Sequence, residues 1–153
     1  MVHVLLGFMS HALPHFSELH RDNKLNNILL GREGLPMFHL YRFDFAPLRC
    51  IRMACDLLGP MGNEQCGVRD KWLAFLAIKD KKSILQPYKD NRFNAAFECA
   101  SQVFHHKDDI IEFLDKIECT NRQLQSLKAD INDNRVLSMI HALAVLFVKV
   151  TGI

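Results

Sequence analysis

The sequence contains little glycine, proline and tryptophan, which account for 7, 5 and 1 of its 153 residues. This scarcity excludes a collagen-like repeat, and the sequence has no low-complexity tract or internal repeat. Neither sign of charge is in marked excess, because 19 basic and 17 acidic residues give a net charge of +2. That balance neither indicates nor excludes a nucleic-acid surface, since local patches matter more than the sum.

The apolar content is typical of a soluble domain, with 49% hydrophobic and 24% charged residues. This composition excludes wholesale disorder and a small disulfide-rich scaffold. A chain of this length can bury a core of its own, so we predict a single domain over residues 1–153.

The cysteines match no disulfide framework, because their number is odd and their spacing irregular. They are Cys50, Cys55, Cys66, Cys99 and Cys119. Residues 1–13 are apolar but lack the basic start and the cleavage site of a signal peptide. Residues 136–153 approach the length of a membrane span but include His141 and Lys149. We therefore predict a nuclear or cytoplasmic protein in a reducing compartment, with no membrane partner.

The apolar residues recur with the period of α-helices. In residues 91–106 they follow one face at three- and four-residue spacing, and Asp90 or Asn91 could cap that helix. The other predicted helices cover residues 2–13, 16–30, 48–58 and 68–78, and three more begin near residues 107, 120 and 134. The predicted fold class is all-α, an irregular bundle of about seven to eight helices.

Several positions within this pattern have a predicted environment. Trp72 is assigned to the core, whereas Arg49, Arg52 and Asp56 are assigned to the solvent side of their helix. Gly31 and Gly59 are predicted helix stops, and residues 32–47 are a predicted loop with aromatic side chains or one short extended segment. Pro87 excludes a helix through the segment before Asp90, and Thr120 or Asn121 could cap the helix that begins near residue 120. The last helix is apolar on nearly every side, which is typical of the centre of a bundle or of a helix facing a missing partner.

The sequence has no metal-ligand pattern that we interpret as a site. Cys50 and Cys55 lie on one helix, where a buried thiol needs no metal. His105 and His106 are adjacent and so point to different sides of a helix. His11 and His15 have a suitable spacing, but Pro14 interrupts that turn. We therefore predict neither a metal nor a cofactor.

Catalytic motifs are also missing from the sequence, which has no phosphate-binding glycine loop, nucleophile elbow or paired-histidine zinc motif. Asp108, Asp109 and Glu112 form one acidic cluster. Carboxylates at a helix start are mostly favourable partners of the helix dipole. We predict no catalytic residue and no enzymatic activity.

Basic residues interleaved with aromatic residues form the one candidate nucleic-acid site. Its residues are Lys79, Lys81, Lys82, Lys89 and Arg92. Cations at loops can contact phosphates, and the nearby rings of Tyr88 and Phe93 could stack on bases. The alternative is a solvated helix exit, because Asp80 and Asp90 dilute the positive charge.

Several stretches, taken in order, resemble the middle of hAT-like transposases. The most specific are IRMACDLLGP at residues 51–60, RDKW at 69–72 and NRFN at 91–94. The resemblance implies the helical domain that this family inserts into its RNase H-like core, where it supports dimer and DNA contacts. No residue here matches the metal-binding carboxylates of that core or the family's zinc finger, so no catalytic role is transferred.

From the resemblance we expect a non-catalytic, transposon-derived fragment with a DNA-associated or dimerising role. Its partners would be DNA, a second copy or the missing transposase domains. The alternative is a protein–protein interaction module that does not bind nucleic acid. The apolar last helix and the aromatic residues between 38 and 45 favour that alternative.

Overall fold

The computed structural model describes residues 29–35, 44–62, 68–89, 95–119 and 121–151. These residues form six α-helices and one short 3-10 helix, with no strand among them, so the predicted all-α class is confirmed. The elements are the 3-10 helix Gly31–Gly34, α1 (Ala46–Leu58), α2 (Val68–Ile78), α3 (Ala95–His105), α4 (Lys107–Lys116), α5 (Arg122–Ile131) and α6 (Asn134–Thr151). The predicted helix over 2–13 and nearly all of that over 16–30 lie outside the described residues.

Helix α1 begins two residues earlier than predicted, at Ala46. Pro47 therefore lies in the first turn, where its missing N–H costs no helical hydrogen bond. Phe45 precedes the helix in an extended conformation, and Gly59 ends it by donating its N–H to the Cys55 carbonyl at 2.9 Å. The predicted stop at Gly59 is thus confirmed.

The predicted cap of α5 is also present. Asn121 is extended, and its side-chain oxygen accepts a hydrogen bond from the Leu124 N–H at 2.8 Å. This bond satisfies one of the free amides of the first turn. The caps proposed for α3, Asp90 and Asn91, lie outside the described residues.

Residues 81–89 between α2 and α3 have no regular secondary structure, as Pro87 predicts. The segment is held by side chains at the end of α3. The Ile84 N–H donates to His106 Nε2 at 3.1 Å, and the Gln86 N–H donates to Gln102 Oε1 at 3.0 Å. These bonds replace the backbone partners that a helix would have supplied.

The core lies between α1, α3 and α6, with α2, α4 and α5 packed around it. Its largest fully buried side chains include Trp72, Phe97 and Phe113. Trp72 donates its indole N–H to Ser83 Oγ at 3.1 Å, so burial leaves no unpaired donor there. The prediction that Trp72 belongs to the core is confirmed.

The predicted helix stop at Gly31 is wrong. Leu29 and Leu30 are not helical, and Gly31 begins the 3-10 helix with a φ of 54°. The backbone here is bound by distant carboxylates, because Gly31 N–H donates to Asp133 Oδ2 at 2.8 Å. Glycine allows this backbone conformation, but a tertiary contact and not a helix end requires it.

Among the described residues, no single helix is long and apolar enough to cross a membrane. Taken together, the helices over 122–131 and 134–149 have the length and apolar composition of a membrane span, although their axes form a 77° bend at the break between them.

Candidate functional site

The residues of the predicted cationic patch differ in whether they form ion pairs. Lys79 Nζ contacts Glu112 and lies 3.3 Å from Asp109 Oδ1, while Lys81 Nζ lies 3.1 Å from the same Asp109 oxygen. Lys82 and Lys89 are exposed, and Arg92 lies outside the described residues. Two of the five predicted phosphate ligands are thus paired with carboxylates of the same chain.

Those ion pairs join the end of α2 to α4. The hydrogen bond from Lys79 lowers the pKa of Glu112, and the same bond raises the pKa of Lys79. Lys79 also lies over the Phe75 ring, 4.8 Å from its centroid. The arrangement therefore neutralises charge at the site where a phosphate was expected to bind.

The three carboxylates of the predicted acidic cluster also differ in burial and in their partners. Asp109 is buried and accepts from both lysines, Glu112 pairs with Lys79 and Lys116, and Asp108 is exposed beside Lys107. Over the described ranges, no group of three or more histidine, cysteine, aspartate or glutamate side chains could hold a metal ion. The carboxylates bind lysines of the segment after α2 and of α4 itself.

The described candidate metal ligands lie in structural positions. Cys50 and Cys55 are buried in α1, and burial raises the pKa of the Cys50 thiol well above its usual range. A hydrogen bond to Cys99 raises the pKa of the Cys55 thiol in the same direction. Their surroundings therefore favour the neutral thiol over the thiolate. His11, His15 and Cys66 lie outside the described residues.

His106 lies between α3 and α4 and is 1% exposed. Because Nε2 accepts from Ile84, the proton of the neutral ring is assigned to Nδ1. Nδ1 is 3.7 Å from Asp109 Oδ2, beyond hydrogen-bond distance, and has no hydrogen-bond partner among the described residues. Burial lowers the pKa of His106, and its neighbour His105 lowers it further.

Sequence reasoning missed the buried ion pair between α1 and α5. Arg49 was predicted to face solvent, but it is 3% exposed and donates to Asp130 from Nε at 3.1 Å and Nη2 at 2.9 Å. Burial opposes the charged guanidinium, but the hydrogen bond to Asp130 and the charges of Asp130 and Glu33 together outweigh it and raise the pKa of Arg49. The available signal was Asp130 itself, because it falls on the apolar row of α5.

The same pair holds residues 29–35. Arg49 Nη2 also donates to the Leu30 carbonyl at 2.7 Å, and the Arg32 N–H donates to Asp130 Oδ1 at 2.9 Å. Nearby, Arg135 Nη2 donates to the Leu29 carbonyl at 2.6 Å. Three of these backbone groups are therefore bound by side chains from α1, α5 and α6. The role of this cluster is structural.

The outer face of α2 is apolar although it faces solvent. Ile78 is 87% exposed and Leu73 is 37% exposed, with exposed Ala74 and Ala77 between them. We call these four residues the α2 face. Exposed charged residues flank it: Asp70 and Lys71 before it, Asp80 and Lys81 after it.

A groove lies between α3 and α6, with a volume of about 390 Å³. Its apolar lining comes from Phe104, Ala144, Val145 and Val148. Its polar lining comes from Ser101, His105, His141 and Lys149. We call it the α3–α6 groove.

Searches against protein-family models, curated proteins and solved structures found no match to this chain. The resemblance to hAT-like transposases therefore stays a prediction.

Proposed function

We propose that this chain is a non-catalytic helical module that associates with a second copy of itself through the α2 face. One observation carries the proposal: the exposed apolar strip on α2 is flanked at each end by one acidic and one basic residue. The order of these charges is such that two antiparallel copies bring opposite charges together. Exposed large hydrophobic residues are common singly, but a contiguous strip with a charged rim is typical of an interaction surface. Every residue of the strip belongs to one rigid helix.

The charges specify how two copies would pair. In an antiparallel pair of α2 helices, a two-fold axis between residues 75 and 76 brings Leu73 opposite Ile78 of the second copy. The same register brings Ala74 opposite Ala77, so the two backbones can approach closely. Lys71, near the start of α2, then lies near the turn that follows α2 in the second copy, where Asp80 is exposed, and by symmetry the contact forms twice.

The described part of the chain leaves Lys71 and Asp80 available for this contact. Neither side chain forms an ion pair or hydrogen bond with another described residue, whereas Lys81 is already bound to Asp109. The contact between two helices is small, and interfaces below about 1,000 Å² of buried surface are typical of weak complexes. We therefore expect a reversible dimer that forms only at high protein concentration.

The test is sedimentation velocity of the full chain over a series of concentrations. Ile78→Asp should remove the dimer, because it places a charge in the apolar contact, opposite Leu73 of the second copy. Met61→Asp is the matched control, since Met61 is 76% exposed but lies outside the α2 face. A chain that stays monomeric at every concentration would refute the proposal, as would equal effects of the two substitutions.

Charge exchange tests the register. Lys71→Glu and Asp80→Lys should each weaken the homodimer by placing like charges opposite one another. An equimolar mixture of the two variants should associate more tightly than either alone, because both contacts then regain opposite charges. Thermal unfolding of each variant checks that the fold is retained, which matters most for Asp80 because its φ is 56°. A mixture no tighter than its components would rule out this register.

The DNA-associated role stays a prediction for this module, with only Lys82 and Lys89 as exposed, described members of the predicted patch that are not paired with Asp109. Duplex DNA titrated at several salt concentrations tests it. A DNA-binding patch would lose affinity in Lys82→Glu with Lys89→Glu, and its salt dependence would become shallower by about two phosphate contacts. Affinity unchanged by that double substitution would exclude these lysines as ligands.

A further inference from the structure

The α3–α6 groove is a second surface, on the side of α6 where the chain leaves apolar residues uncovered. Phe104 and His141 stack across it with ring centroids 4.3 Å apart and planes within 2° of parallel. The stack joins the two helices and gives the groove a flat, rigid floor. Val148 is 45% exposed beside it, so the apolar lining is open to solvent.

The polar lining of the groove consists mainly of hydrogen-bond donors. Lys149 carries a positive charge at one end, and the exposed rings of His105 and His141 each offer an N–H. A second cation, Lys107, has its Nζ 5.4 Å from the centroid of the Phe104 ring, but its charge is paired with Asp108 at 2.9 Å. No carboxylate is among the described residues that line the groove. An anionic occupant is therefore complementary to this rim.

The shape of the groove favours an elongated occupant. From His141 to Lys149, α6 extends about 12 Å at the usual rise of a helix, which corresponds to about two turns of a partner helix. An enclosed small-molecule pocket buries most of its ligand, whereas this groove is open along one side. A helix can cover such a groove with apolar side chains at three- and four-residue spacing.

We propose that the α3–α6 groove binds an amphipathic helix of another protein, one that carries acidic residues along the edges of its apolar face. Its apolar side chains would pack on Phe104, Val145 and Val148. Its carboxylates would accept hydrogen bonds from Lys149 and from the imidazole N–H groups. This binding does not depend on self-association, because the α2 face belongs to a different helix.

The test uses two synthetic helical peptides with the same leucine-rich apolar face and either glutamate or lysine along its edges. Fluorescence anisotropy with the full chain measures binding of each peptide. We expect the glutamate peptide to bind at least tenfold more tightly than the lysine peptide, and more weakly as salt is added. Binding of neither peptide, or equal binding of both, would overturn the proposal.

Two substitutions locate the binding. Val148→Asp should weaken binding of the glutamate peptide at least tenfold, whereas Met61→Asp should leave that binding unchanged. Both residues are exposed, so the fold should tolerate either substitution. Lys149→Glu should reduce the preference for the glutamate peptide. If Val148→Asp loses affinity for the glutamate peptide and Ile78→Asp retains it, the groove is a site separate from the dimer contact. If Val148→Asp instead abolishes self-association, a second copy occupies the groove and the proposal fails.

Discussion

Two sets of ion pairs tie distant parts of this chain together, and they differ in burial. The buried pair, Arg49 and Asp130, joins positions 81 residues apart with side chains 4% and 1% exposed. The surface pairs, formed by Lys79 and Lys81 with Asp109 and Glu112, join positions about 30 residues apart. There the lysine side chains are 30% and 52% exposed.

The difference determines what each set contributes. A charge inside the core has lost its water, so removing its partner leaves an unpaired charge that the fold cannot solvate. A surface lysine that loses its carboxylate returns to water at little cost. The buried pair therefore specifies where residues 29–35 lie, whereas the surface pairs mainly neutralise a patch that would otherwise attract anions.

The largest expected effect is that of Asp130→Asn. The substitution retains the shape of the side chain but leaves the buried Arg49 guanidinium with only the Glu33 carboxylate, 3.6 Å from Nη2, as a counter-charge. We expect a loss of about 3–5 kcal/mol in the free energy of unfolding, measured by urea denaturation. Asp115→Asn removes the exposed partner of Lys128 on the surface and should leave the urea midpoint almost unchanged. Similar losses in the two variants would contradict the comparison.

Gly31→Ala tests the backbone that the buried pair holds. Gly31 has a φ of 54°, and an added Cβ would overlap Asp130 Oδ1 and lie 2.8 Å from the Asp130 Cα. We expect a loss of about 1–3 kcal/mol from the backbone strain, with a further loss if the Asp130 carboxylate is displaced. The control is Gly34→Ala, because nothing lies within 4 Å of a Cβ built there. Equal stability of both variants would mean that residues 29–35 are not held as described.

His106 connects the surface pairs to the core and makes stability depend on pH. Its pKa in the folded state lies below the usual 6.5, so the neutral ring is favoured by folding. The stabilisation is complete above pH 6.5 and declines as the pH falls toward the lowered folded value, because the unfolded chain then binds the proton more readily. Protonation would also remove the acceptor used by the Ile84 N–H.

Urea unfolding of the native chain and of His106→Gln, at several pH values between 7.5 and 5, measures this dependence. We expect the substitution to remove part of the decline in stability below pH 6.5. His105→Gln, at the exposed neighbouring position, should retain most of the decline. An unchanged pH dependence in His106→Gln would show that another group titrates.

The smallest expected effect is that of Lys79→Met on stability. Lys79 pairs with two carboxylates, but it is solvated enough that the urea midpoint should change little. The substitution should instead raise the pKa of Glu112, which can be followed by NMR titration of its side-chain carboxyl. A large fall in stability would mean that the surface pairs act like the buried pair.

Local sequence patterns were sufficient for the helices and for several of their ends. The cap of α5 was predicted at Thr120 or Asn121 because a short polar side chain there can reach a free amide of the first turn, and the Asn121 side chain accepts from Leu124. Trp72 was assigned to the core because the apolar period places it there. Both judgements depend on residues within a turn or two along the chain. The same is true of the break at Pro87.

The candidate surfaces required the tertiary structure. The local sequence pattern does not show that Asp109 contacts both Lys79 and Lys81. The neutralisation of the predicted cationic patch by carboxylates of the same chain could therefore not be predicted. Likewise, the apolar period of α2 does not tell which of its apolar residues the other helices cover. Ile78 is left exposed because none of the described elements packs on its side of the helix.

The amino-acid sequence by itself determined the all-α class, the stop at Gly59 and the cap at Asn121, because these depend on hydrogen bonds and periodicity within a few residues. The tertiary structure alone decided that Arg49 is buried and that Gly31 belongs to a tertiary contact. It also decided which apolar surface remains open on α2 and α6. Those outcomes depend on partners about 80 to 100 residues away, and local spacing carries no information about which charges and apolar faces meet when the helices pack.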